Sequence, residues 1–268
     1  VKRLKLKKVE HEYKISDKAD DIEPNVTESC LFEDEDGSIC GFFLTKMTEK
    51  ACKIADVANA EFLSKRVPKT ALFRTDEFKG RYEKELAHQN ALAKKEKKYS
   101  TILGSVKAQP NMRRMEPRIS SVHTVESAQT FIKAMLKLCK ECENIYKKHC
   151  PDAYLNHVKA VETVADKWKF GSIFTSSISN YNISVPVHID RANITETCNI
   201  IVSKKYGTNG GNLYIPDYDL CFDQCDNSIL VFPVWRNIHC VTPIHKTHED
   251  GYRNSLVFYP QKCFLNTK

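Results

Sequence analysis

No stretch of these 268 residues stays apolar for anything near the roughly 20 residues that a membrane-spanning helix needs. Nothing in it reads as a secretory signal either. The expectation is an intracellular protein that is not membrane-bound, nuclear in a eukaryote and cytoplasmic in a phage or bacterium. No internal repeat is visible, and no Walker-type loop. The one glycine pair, in TNGGN (208–212), is followed by no helix pattern and reads as a turn. A disulfide framework is also not expected. The 11 cysteines are an odd number, and without a secretory signal they read as reduced thiols.

What is present suffices for a full core, with 41% apolar residues in one large domain or two small ones. The formal charge of +7 suits an anionic partner such as nucleic acid, and equally well an ordinary solvated surface. The opening VKRLKLKKVE alternates basic and apolar residues, as an edge strand or a basic arm would. An EDGS turn then separates two strands, the second in CGFFLTKM (40–47). Helical spacing is expected over 47–64, 76–98, 124–150 and 152–167. Residues 99–123 have little periodicity and contain Arg113, Arg114 and Arg118, which predicts a long basic loop. From about residue 170, β-branched and aromatic residues alternate with polar ones, broken by turns, with no helix between. That predicts an α+β fold: a mainly antiparallel sandwich or jelly roll with helices packed outside.

Two constellations have metal-binding chemistry. Cys139, Cys142, His149 and Cys150 are zinc-type ligands, but the first two lie on the apolar face of a predicted helix, where cysteine is an ordinary small core residue. The second is VPVHIDRAN (185–193). In a strand, positions i and i+2 face the same way, so His188 and Asp190 converge. A histidine from a later strand would complete a facial triad of two imidazoles and one carboxylate, which leaves metal positions open for other ligands. His239, at the end of an apolar run, is the first candidate; His245 and His248 lie in a polar stretch. Fourteen residues past His239, Arg253 and Ser255 share a face of an apolar strand. A buried arginine requires an anion, and its planar fork suits a carboxylate.

HIDRAN (188–193) and RNSLVFYPQ (253–261) resemble the 2-oxoglutarate/Fe(II) dioxygenases of the TET and J-base-binding-protein superfamily, over about residues 100–262. The resemblance implies a double-stranded β-helix (jelly-roll) core in residues 99–268, with residues 1–98 as a strand and helix extension packed on it. It implies Fe(II) on His188, Asp190 and His239, and 2-oxoglutarate on Arg253 and Ser255. It implies a flipped base stacked on Tyr259 and read by Asn193 and Gln261, with Arg113, Arg114 and Arg118 on DNA phosphates. Gln261 stands where TET proteins have histidine, and their cysteine-rich zinc segment is not evident. Asn193, where thymine-oxidising relatives tend to carry Asp, tilts the expected substrate to 5-methylcytosine. The expected reaction is oxidation to 5-hydroxymethylcytosine in double-stranded DNA by a monomer, with further oxidation left open. Thymine, an RNA base, a protein side chain or a small molecule are the alternative substrates. A DNA-binding module on an inactive oxygenase fold is the alternative of another class.

Overall fold

The computed structural model describes residues 1–71, 98–109 and 115–267. The expected helix over 76–98 therefore lies outside the described residues but for Lys98, and so do Arg113 and Arg114.

The basic opening forms β1 (Lys2–Lys5), which pairs in parallel with β2 (Cys30–Glu33) at the sheet edge, where lysines discourage further pairing. A tight turn leads from β2 into β3 (Ile39–Leu44). The turn is closed by Asp36, whose carboxylate accepts from the Ser38 amide, and by Gly37 at φ +82°. Thr48 then caps α1 (Glu49–Leu63). After β4 (Thr70–Ala71), β5 (Tyr99–Val106) and β6 (Arg118–Ile119) come α2 (Gln129–His149) and α3 (Pro151–Ala160), the break between them set by Pro151.

The remaining chain is β-structure broken by turns: β7 (Ser176–Tyr181), β8 (Val185–His188), β9 (Asn199–Tyr206), β10 (Thr208–Gly210), β11 (Leu213–Ile215), β12 (Leu220–Cys221), β13 (Ile229–Phe232), β14 (His239–Val241), β15 (Ile244–Lys246) and β16 (Tyr252–Tyr259). The strands form a large sheet ordered β1-β2-β3-β13-β9-β16-β7-β5-β4, with β6 beside β5. A small sheet is ordered β12-β11-β14-β8, and β10 with β15 forms a ribbon. One face of the large sheet, with Ile200, Val202, Leu256 and Phe258, packs under α1 and α2. The alternate residues Ile201 and Val257 turn the other way and pack against Leu213, Ile215 and Val241 of the small sheet. This is the expected α+β jelly-roll architecture.

Three local expectations fail, the first at the start of the helix expected over 124–150, which begins only at Gln129 after two short 3-10 turns. Residues 99–106 are a strand inside the large sheet rather than part of a loop. Both faces of β5 are covered, and small polar residues occupy buried positions by bonding locally: Thr101 Oγ1 donates to Pro68 O (2.6 Å) and Ser105 Oγ to Trp168 O (2.8 Å). That substitution of hydroxyls for apolar side chains hides the strand's periodicity. The helix expected over 152–167 stops at Ala160. The β-branched run Val161, Thr163, Val164 is a weak helix former, and Val161 and Val164 are buried in the core beyond its end.

His157 anchors α3 to the sheet. Its Nε2–H donates to Ile173 O (3.0 Å), and its Nδ1 accepts the Cys198 amide (3.5 Å), so the ring must be neutral. Burial pushes its pKa down to about 3. A lowered histidine pKa gives stability that is complete above the unfolded value near 6.5 and lost as pH falls toward 3. In urea titrations across that window, His157→Gln is expected to be less stable at pH 7. Its stability should fall less steeply with acid, by up to about 1.4 kcal/mol per pH unit. Equal slopes would assign the acid sensitivity to other groups.

Candidate metal centre

β8 and β14 pair antiparallel with His188 directly opposite His239. Their rings lie 4.1 Å apart between centroids. The turn after β8 brings Asp190 alongside, its Oδ1 3.5 Å from His188 Nε2. One ligand atom from each of His188, Asp190 and His239 falls within 4.8 Å of the others, the one such cluster of three or more metal-ligand side chains among the described residues. Each imidazole is oriented by the carbonyl two residues before it. His188 Nδ1–H donates to Pro186 O (2.9 Å) and His239 Nδ1–H to Asn237 O (3.0 Å). A carbonyl only accepts, so both rings carry their proton on Nδ1 and keep the Nε2 lone pair for a metal. Burial first, and the adjacent His188 second, pushes the His239 pKa down and keeps that lone pair open.

The Asp190 carboxylate is held from the other side. Asn199 Nδ2 donates to its Oδ2 (3.1 Å), and Asn193 Nδ2 donates to Asn199 Oδ1 (2.9 Å) and, more weakly, to Asp190 Oδ2 (3.4 Å). Asp190 Oδ1 remains on the metal side. Asn199 opens a strand just before the apolar Ile200, Ile201 and Val202 and went unnoticed in the sequence, although a buried asparagine there needs a polar partner.

Arg253 is 3% exposed. Among the described residues no carboxylate pairs with it. Among the described residues its guanidinium has one hydrogen bond, a long one from Nη2 to Gln224 Oε1 (3.4 Å), and its Nε has no partner. Burial pushes its pKa down to about 10, and Lys205 faces it across β9 and β16. The nearby Gln224 Nε2 and Ser203 Oγ also lack partners. Ser255, on the same strand face, accepts from Asn180 Nδ2 (3.2 Å). This interior holds unmet donors around a cation, and a carboxylate would satisfy them. Gly211 makes the close fit possible: at φ +66°, a Cβ there would lie 2.9 Å from Arg253 Cγ. Gln224 sits in a stretch that reads as a simple turn, and nothing in the sequence marks it.

Between the sheets, a cavity of about 330 Å³ reaches Asp190 and is lined by Asn180, Asn193, Asn199, Tyr259 and Gln261. The Oε1 of Gln261 is buried with no partner. Arg118 pairs through β6 with Val106 at the cavity wall. The structure thus gathers Asn193, Tyr259 and Gln261 around one space next to the triad. His245 and His248 are elsewhere, His245 bound to Asp21 (2.8 Å) and His248 in the turn before Gly251. Cys139 and Cys142 are buried in the helix core, the Cys139 thiol donating to Glu143 and Phe170 O. They do not gather with His149 and Cys150 into a metal cluster.

The residues present fit Fe(II) on the triad and a dicarboxylate on Arg253. Replacing Arg253 by Met removes an uncompensated buried cation. The variant is expected to unfold at the same or a higher temperature than wild type. It should lose the stabilisation that 2-oxoglutarate with Mn(II) gives wild type in thermal melts. Retained stabilisation would place the cosubstrate elsewhere.

The family model Tet_JBP, the oxygenase domain of the 2OGFeDO superfamily, matches residues 106–262. Among solved structures, NgTET1 in complex with 5mC DNA superposes with a TM-score of 0.59 at 13% identity, covering 89% of this chain and 78% of that one. A 2OG-Fe(II) oxygenase family protein from Burkholderia pseudomallei gives 0.43 at 13% identity, covering 82% and 84%. No curated protein matches. At 13% identity the NgTET1 superposition speaks for the fold alone, whereas the family match spans more than half of the chain. This chain is a member of the Tet_JBP family of 2-oxoglutarate- and Fe(II)-dependent oxygenases.

Proposed function

We propose that this oxygenase oxidises the methyl group of 5-methylcytosine in DNA, acting on a base flipped into the cavity beside Asp190. The observation that carries the reading is the polarity of the cavity wall. Asn193 spends its Nδ2 on Asn199 Oδ1 and on the Asp190 carboxylate, which fixes the orientation of its amide and leaves Oδ1 as the atom to offer. Gln261 adds a buried Oε1 with no partner. Two acceptors suit the exocyclic amine of cytosine, whereas thymine has a carbonyl oxygen at that place. The neighbouring fold in NgTET1, in complex with 5mC DNA, supports the same class of substrate.

A base in a duplex cannot reach Asp190, so it must leave the stack at a cost of a few kcal/mol. Stacking on Tyr259 offsets about 1–3 kcal/mol of that. Lys107 lines the cavity, and Arg118, Arg191 and Lys262 are exposed near it, a cationic rim suited to the flanking phosphates. His188, Asp190 and His239 would hold the iron, and Arg253 with Ser255 would hold the far carboxylate of 2-oxoglutarate. Bound together, iron and cosubstrate would let dioxygen act as the oxidant: one oxygen atom enters the methyl C–H bond as a hydroxyl, and the other goes to 2-oxoglutarate, which leaves as succinate and CO2.

The test is turnover of duplex DNA carrying 5-methylcytosine with Fe(II), 2-oxoglutarate and ascorbate, read by nucleoside mass spectrometry. 5-Hydroxymethylcytosine that forms only with 2-oxoglutarate is the expected product. Asp190→Ala should abolish it while leaving salt-sensitive DNA binding intact. Hydroxymethyluracil in its place would overturn the cytosine reading, and full activity of Asp190→Ala would overturn the metal assignment.

A further inference from the structure

Residues 6–26 lie outside the span matched by the family model and run without regular structure along the small sheet. Their contacts converge on the two strands that carry the imidazoles. The Ser16 amide donates to Val187 O (2.8 Å), and the Val187 amide donates back to Asp17 O (2.9 Å). This reciprocal pair fixes the residue before His188. Ser16 holds a left-handed φ of +82°, unfavourable for serine, in the turn that Asp17 N closes on Lys14 O (3.1 Å). Tyr13, Ala19 and Ile22 pack on Val187, Tyr214, Cys221 and Cys240. Val187 and Cys240 each precede or follow a histidine ligand directly, so in strands that alternate faces they are the outward partners of His188 and His239.

A second tie reaches His239. His11 Nε2–H donates to Asp217 Oδ1 (3.1 Å). The other oxygen of Asp217 accepts from Asn237 Nδ2 (2.9 Å) and from the Ile238 amide (3.2 Å). Asn237 O is the acceptor that orients the His239 ring. The Val9 amide donates to Asp217 O (3.0 Å), and Tyr13 packs edge-on against Tyr214 at 5.7 Å. The segment thus bonds to the residue next to His188 and, through Asp217, to the residue whose carbonyl orients His239.

We propose that this N-terminal strap is a positioning element of the metal centre, holding the small sheet in the register that sets both imidazoles. The inference rests on the reading of His188, Asp190 and His239 as the metal ligands. His11 and Tyr13 are its positioning residues. Outer partners of metal ligands typically change affinity by 10-fold or more when removed.

The experiment measures Co(II) affinity of the purified chain by visible absorption, together with the unfolding midpoint of the metal-free protein. His11→Ala is expected to weaken Co(II) binding by about 10-fold with the metal-free midpoint little changed. His11→Gln, whose amide can donate to Asp217, should restore it. Tyr13→Leu, which loses the edge contact with Tyr214 but keeps an apolar cover, is the second variant should His11→Ala not fold, with the same weakening expected. Wild-type affinity in a folded variant overturns the inference. So does a loss of metal-free stability that accounts for the weaker binding and that His11→Gln does not repair. Co(II) binding that survives His188→Ala unchanged, or is absent in wild type, would overturn the metal-centre reading and the inference with it.

Discussion

The pairing of β8 with β14 is the constraint on which the site depends. With His188 opposite His239, a one-residue slip would turn one imidazole to the other side of the sheet and break the cluster. Short strands pair weakly by themselves, and β8 and β14 have four and three residues. Their register is set by what surrounds them: Val187 and Cys240 buried on the outer side, and main-chain carbonyls holding the two rings.

The large sheet divides its labour by face. Toward α1 and α2 it presents an apolar surface, and it carries the mass of the core. Toward the small sheet, β9 and β16 alternate apolar residues with Ser203, Arg253 and Ser255. The polar set is tolerable because the helical side supplies the burial that folding requires. Lys204, on the helical side, is tied to Asp56 of α1 (2.6 Å) and Asp226 (2.8 Å), so even there the buried charge is paired, in contrast to Arg253.

Much of the centre could be read in the sequence because its rules are local. His188 and Asp190 stand two apart at a strand end, and Arg253 with Ser255 share a period-two face in an apolar run. Choosing His239 over His245 or His248 rested on the apolar run before it, and the same run forms the strands that deliver it. What could not be read depends on distant chain. Asn199 is recognisable as the support of Asp190 only once β9 passes beside the turn, and Gln224 only once its loop reaches Arg253. Strand β5 was hidden by hydroxyls whose partners, Pro68 O and Trp168 O, are remote in sequence. Residues 16 and 17 likewise show their place only in the fold, where they bridge to Val187 rather than form a strand of their own.

The choice of main-chain carbonyls as partners for both imidazoles sets a charge balance. A carboxylate in that place would draw the Nδ1 proton and lend the ring anionic character; a peptide oxygen leaves it neutral. With a divalent ion on the triad, two neutral rings and Asp190 would leave one positive charge, and the far end would carry the uncompensated Arg253, with Lys205 facing it. A ligand with two carboxylates, one at each end, neutralises both. Monoanions of similar shape would leave one pole unmet, so an interior filled in this way would discriminate by charge number as well as by shape.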